Sequence, residues 1–220
     1  MAKVGVVLAG CGVFDGAEIH EAALTLFFLD RAGAEIICMA PNIDQMDVVN
    51  HIKGESSVGE KRNVLIEASR IARGVITDMK DVTSANLDAL VFPGGFGAAK
   101  NLCNFAVKGP DCAVNPEVER LIKEMHGAKK PIGFICIAPV LAAKVLGSFN
   151  PRLTIGHDPD TASAIEKLGG EHVACTVDNI VVDAKNKVVT TPAYMLGPTI
   201  SKVALGIEKL IGELLKLAVS

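Results

Sequence analysis

The sequence predicts an α/β protein built on a mainly parallel sheet with helices on both faces. Short β-branched runs alternate with segments whose apolar residues recur at helical spacing, the signature of repeated β-α-β units. The apolar runs are short and nearly continuous, as buried strands are. Half of the 220 residues are hydrophobic and 21% are charged, ample material for the core such a sheet needs.

The elements follow in order. KVGVVLAG (3–10) is a buried strand ended by glycine, and AEIHEAALTLFFLDRAGA (17–34) a helix stopped by Gly33. EIICMAP (35–41) is a second strand, broken by Pro41. The polar stretch 41–60 cannot be pure core; it reads as an excursion with room for a short hairpin, bordering a site or a subunit contact. LDALVFPGG (87–95) is a strand, and NPEVERLIKEMHGAKK (115–130) a helix. Asn115 is placed to cap that helix, with Pro116 in its first turn and Glu117 and Glu119 at its positive end. PIGFIC (131–136) is a strand and APVLAAKVLG (138–147) a helix. In DNIVVDAKNKVVTTPA (178–193) two β-branched runs flank a turn, which predicts a hairpin or a small antiparallel extension. Ile200, Val203, Ala204, Ile207, Leu210, Ile211 and Leu214 share one face of a terminal amphipathic helix. The chain has no internal repeat and no linker-like tract, so residues 1–220 read as a single domain.

Composition excludes some functions. A net charge of -3 leaves no basic footprint for nucleic acid, and the lack of Trp argues against base-stacking platforms. No apolar stretch reaches the roughly 18–20 residues of a membrane span. The opening MAKVGVVLAG leads straight into a turn, unlike a secretory signal or an Arg/Ser-rich transit peptide, so a cytoplasmic location is expected. The six cysteines are scattered without C-x-x-C or zinc-like spacing, which predicts free thiols and no metal site.

In open α/β sheets, ligands bind beyond the carboxyl ends of the strands, and three such junctions stand out. In LAGCGVFDGAEIHE the glycines do not fit a dinucleotide fingerprint, but Glu18 and Glu21 lie three apart at a helix start. Either glutamate alone is usually a dipole complement; one buried in an apolar cleft would stay protonated near neutral pH and could donate to a thiolate. In VFPGGFGAAKNL, Pro93 ends the strand, and Gly94 and Gly95 allow close backbone approach and half of an oxyanion hole, or simply a turn. In GFICIAPV, Cys136 closes a strand just before a helix. There it is either small core filling or a nucleophile pushed out on an elbow, its thiol lowered by the helix dipole. His157, in LTIGHDPDTA, also falls at a strand end.

Together GCGVFDGAEIHEA, RNVLIEASRIARG, VFPGGFGAAKNL, KPIGFICIAPVLAAK and KVVTTPAYM closely resemble the bacterial enhancing-lycopene-biosynthesis protein ElbB and its mitochondrial relatives, up to about residue 195. That group is similar to the superfamily of the intracellular protease PfpI, the Parkinson-linked deglycase and class I glutamine amidotransferase-like domains. The resemblance implies a flavodoxin-like three-layer sandwich, a nucleophile elbow and a homodimer. It matches Cys136 to the elbow cysteine and Glu21 to the glutamate bonded to that thiol. Gly95 and the N–H of Ile137 match the oxyanion donors, and His157 a histidine held near the thiol. Protease-like relatives carry histidine directly after the cysteine, where this chain has Ile137, and the late H-x-E pair of amidotransferases is missing. Peptidase and glutaminase activities are therefore not expected.

What the resemblance implies instead is a cofactor-free, glutathione-independent glyoxalase acting on small dicarbonyls. The alternatives are a redox-responsive regulatory protein with an oxidisable, low-pKa Cys136, and a scaffold without turnover.

Overall fold

A computed structural model describes residues 1–197 and 199–219. The first half runs β1 (Lys3–Val7), α1 (Ile19–Arg31), β2 (Glu35–Ala40), β3 (Val49–Asn50), β4 (Glu55–Ser56), α2 (Val64–Ile71), β5 (Thr77–Asp78), β6 (Ala89–Phe92), α3 (Phe96–Lys100) and α4 (Phe105–Lys108). The second half runs α5 (Pro116–Gly127), β7 (Ile132–Ile135), α6 (Pro139–Leu146), β8 (Arg152–Leu153), α7 (Pro159–Lys167), β9 (Glu171–His172), β10 (Val181–Asp183), β11 (Val188–Thr191) and α8 (Ile200–Ala218).

Seven strands form the central sheet in the order β10-β11-β7-β6-β1-β2-β5. Every pairing in it is parallel except β10 with β11, which is the antiparallel extension expected of residues 178–193. The excursion after Pro41 carries the short hairpin β3–β4, with Val49 opposite Ser56.

The central strands are buried on both faces, and their alternating side chains feed two cores. On β6, Ala89 and Val91 belong to the core shared with α1, α2 and α8, while Leu90 and Phe92 belong to the core shared with α5 and α6. This is the flavodoxin-like three-layer sandwich. On β7, a Cβ at Gly133 would come within 2.9 Å of Leu210 Cδ2, so the missing side chain lets α8 pack directly on the strand. The helix expected from 17 begins at Ile19, because the Glu18 carboxylate accepts from the Glu21 N–H at 2.7 Å and caps it there. Helix α2, capped by Asn63, was not evident from spacing; eight residues give too few turns for a distinct period.

Candidate active site

The parallel sheet brings the carboxyl ends of β1, β6 and β7 to one edge, and the three junctions converge there. Cys136 follows β7 directly and has φ +63°, a left-handed conformation that L-residues other than Asn, Asp and Gly seldom adopt. Its own N–H donates to the Thr191 carbonyl at 2.9 Å, which ties the elbow to β11. A strained backbone fixed on both sides turns the thiol out above the sheet. Cys136 is 7% exposed and lines a cavity of about 420 Å³.

Glu21 is fully buried and hydrogen-bonds the Cys136 thiol. Its carboxylate oxygens accept from the backbone N–H of Gly94 at 2.9 Å and of Tyr194 at 3.2 Å. Burial and the neighbouring Glu18 push its pKa up to about 8 against these donors, so it holds its proton at neutral pH. Burial also pushes the Cys136 thiol up, while the N–H groups of Gly95 and Ile137 act in the opposite direction. The dipole-lowered thiol expected from sequence is thus corrected. The residue lies before a helix of eight residues, and loss of water outweighs what that helix end contributes. Two adjacent buried acids favour holding at most one negative charge between them.

Gly94 and Gly95 have different tasks. The Gly94 N–H is taken by Glu21, and a Cβ there would stand 2.5 Å from Cys136 Cβ, so this glycine permits close approach rather than donating to a ligand. Gly95, at φ +93°, turns its N–H toward the sulfur. The Ile137 N–H reaches the sulfur from the other side. His157 is not brought in: its side chain is exposed, does not line the cavity and lies beside Asp158.

Sequence reasoning missed Tyr194. It lines the cavity, its ring oxygen lies 2.8 Å from His20 Nδ1, and its N–H holds Glu21. The available signal was the PAYM motif, but the local feature that aims it is Ala193 at φ +45°, which a residue letter does not betray. The cavity wall at Val13 is braced from behind. Asn101 Nδ2 donates to the carbonyls of Ala9 and Asp15, and Lys100 Nζ bonds the Phe14 carbonyl and Asp47. The excursion 41–60 thus supports this wall through Asp47, but none of its residues lines the cavity. All six cysteines are free, and among the described residues no cluster of three His, Cys, Asp or Glu side chains is placed to hold a metal.

This geometry can hold a carbonyl compound against a thiol, with N–H donors for a developing oxyanion and a carboxyl that moves protons. Known proteins share its sequence and fold. The ES1 protein homolog, mitochondrial, of Rattus norvegicus is 52% identical over 98% of this chain and 84% of its own length. The human glutamine amidotransferase-like class 1 domain-containing protein 3, mitochondrial, is also 52% identical, over 98% of this chain and 83% of its own. A crystal structure of an isoprenoid biosynthesis protein with amidotransferase-like domain from Ehrlichia chaffeensis is 39% identical, with TM-score 0.92 over 99% of both chains. The Drosophila melanogaster DJ-1beta structure, 17% identical with TM-score 0.57 over 99% of this chain and 96% of that one, shares the fold. The expected cytoplasmic location is overturned, because the relatives at 52% identity are mitochondrial proteins. Receptors read an organelle address from dedicated segments, and a folded domain's core composition carries no such signal. Residues 9–197 match the DJ-1/PfpI family, and with that match spanning the elbow, its glutamate and the glycine turn, the chain belongs to the DJ-1/PfpI family.

Proposed function

We propose that the protein is a glutathione-independent, cysteine-dependent glyoxalase that converts small dicarbonyls to 2-hydroxy acids, glyoxal to glycolate. The observation that carries this reading is Glu21, a wholly buried carboxyl raised to about 8 and bonded to the elbow thiol. Such a group can give and take a proton near neutral pH. The Cys136 sulfur adds to one aldehyde carbon, and its proton passes through Glu21 to the new alkoxide, forming a hemithioacetal. The N–H groups of Gly95 and Ile137, which reach the sulfur at rest, hold the oxyanion as it develops on this reading. In the form of the pair that has already lost one proton, this relay leaves Glu21 as the carboxylate, which then takes the proton from the attacked carbon and returns it to the adjacent carbonyl carbon, while the hydroxyl proton moves to the neighbouring oxygen. The first carbon rises to a thioester and the second falls to an alcohol, so no external oxidant is consumed. Water cleaves the thioester, releasing glycolate and the thiol.

Within the family we place the chain with ElbB-type proteins, supported by its motifs and by the Ehrlichia relative, which is named for isoprenoid biosynthesis. On this reading any effect on isoprenoid output is indirect. The rival reading, a redox-responsive cysteine with little turnover, requires a thiolate at rest, and burial opposes one. Glycolate formation from glyoxal by the purified protein tests the proposal. Activity that survives Cys136→Ser at the wild-type rate would overturn it.

A further inference from the structure

Glyoxal fills only a corner of the cavity. A dicarbonyl of four heavy atoms takes on the order of 100 Å³, scaled from the roughly 30 Å³ of a water in the liquid. The cavity measures about 420 Å³, within the roughly 300–1,000 Å³ range of pockets that enclose much larger ligands. Away from the sulfur most of its walls are apolar, with Phe96, Phe105 and Met195 the largest; Thr161 and Tyr194 add polar groups without charge. Water held against such walls gains little, and an apolar tail displacing it gains roughly 25 cal/mol for each Å² of apolar surface buried.

The charged side chain on the lining is Glu18, and no Lys, Arg or His shares the wall. Glu18 is 8% exposed, and one of its oxygens caps the Glu21 N–H. Among the described residues no salt bridge involves it. A buried carboxylate without a cation repels a second anion strongly, because little water screens the pair.

We propose that this site selects uncharged 2-oxoaldehydes with a bulky apolar tail, of aryl or branched aliphatic size, over glyoxal, and that Glu18 turns away carbonyl compounds bearing carboxylate or phosphate. The inference rests on the glyoxalase reading and names its substrate class. The bond changes are the same: the sulfur adds to the aldehyde carbon, that carbon's proton moves to the ketone carbon, and water releases the 2-hydroxy acid. Phenylglyoxal would yield mandelate.

The test compares kcat/KM for glyoxal, phenylglyoxal and 4-carboxyphenylglyoxal. Phenylglyoxal should exceed glyoxal by about tenfold or more, within the range that apolar pocket contacts supply. The 4-carboxy compound should fall about tenfold below phenylglyoxal, and Glu18→Gln should narrow that gap. Ala106 is exposed at the rim, so Ala106→Phe should fold and should lower the phenylglyoxal-to-glyoxal ratio. A second measurement is independent of turnover. Phenylacetaldehyde, acetaldehyde and 4-carboxyphenylacetaldehyde form reversible hemithioacetals, so protection of Cys136 from iodoacetamide reports their binding, and phenylacetaldehyde should protect best. Each is normalised to its adduct with N-acetylcysteine. If 2-hydroxy acids form but glyoxal equals or beats phenylglyoxal, the selectivity is wrong and the glyoxalase reading stands. Preferential protection by phenylacetaldehyde without turnover of any dicarbonyl supports the selectivity and removes the glyoxalase reading. Equal protection by all three, without turnover, overturns both.

Discussion

Cys136 and Cys103 are both buried thiols, 7% and 4% exposed, and each lies against a main hydrophobic core. Cys103 donates its S–H to the Ala98 carbonyl, and burial pushes its pKa up to about 12. It has no carboxyl beside it and does not line the cavity. Cys136 is pushed up by burial too, but it has left-handed backbone, a proton-bearing glutamate, two N–H donors and open space in front. Burial alone makes a silent thiol. A proton partner and room for a ligand are what convert the same group into a nucleophile.

The largest break in this comparison should come from the two serine variants. Cys136→Ser should cut 2-hydroxy acid formation by up to about six orders of magnitude, as loss of a nucleophile does in hydrolases. Cys103→Ser should stay within about twofold, since serine can donate to the same carbonyl and a contained change costs about 1 kcal/mol of stability. Equal losses in both variants would mean that the thiols act only through folding.

Glu21→Gln comes next, with a loss of about 10²–10⁴ in turnover. Wild-type activity should climb with pH as the pair gives up its first proton and level off above about 8; the variant should lack that rise. Stability should show the opposite sign. A carboxyl raised from 4.5 to about 8 contributes its share fully below 4.5 and loses it as pH rises through 8. Wild type should therefore lose about 1.4 kcal/mol per pH unit relative to Glu21→Gln across that window. Urea melts at pH 5 and pH 8 measure it, and a constant difference would show that Glu21 ionises as an exposed carboxyl does.

Gly94→Ala should lower the melting temperature at a cost of about 1–3 kcal/mol, because its methyl would sit 2.5 Å from Cys136 Cβ and 2.7 Å from Glu21 Oε2. Unchanged stability with unchanged turnover would mean that the close approach is not needed. The smallest effect belongs to Ala193→Gly. Relief of left-handed strain, set against the entropy of glycine, predicts a gain of about 0.5 kcal/mol in calorimetry. A loss beyond about 1 kcal/mol would show that the Ala193 methyl packs for more than its backbone costs.

Much of the fold was legible because strong periods survive in single sequences. The strands at 3–10, 35–41, 87–95 and 131–136 and the helices at 17–34, 115–130 and 138–147 all correspond to elements of the structure. Short pieces without a full period, such as α2 and β5, were not. At the site, Cys136, Glu21, Gly94 and Gly95 come together, whereas His157 stays at the surface. Being at a strand end says which edge of the sheet a residue occupies, not which way its side chain turns. Tyr194 shows the converse, entering the site through a backbone angle at Ala193.

The sequence by itself determined the alternation of strands and helices, the strand-to-helix setting of Cys136, and the glycines that allow backbone to approach it. These depend on neighbours in the chain. The state of the thiol, the proton on Glu21, and the size and charge of the cavity were decided only by tertiary structure. Each depends on how much water is excluded and on which groups from residues 18, 21, 95, 137 and 194 meet across the sheet edge, and desolvation is a property of the packed molecule.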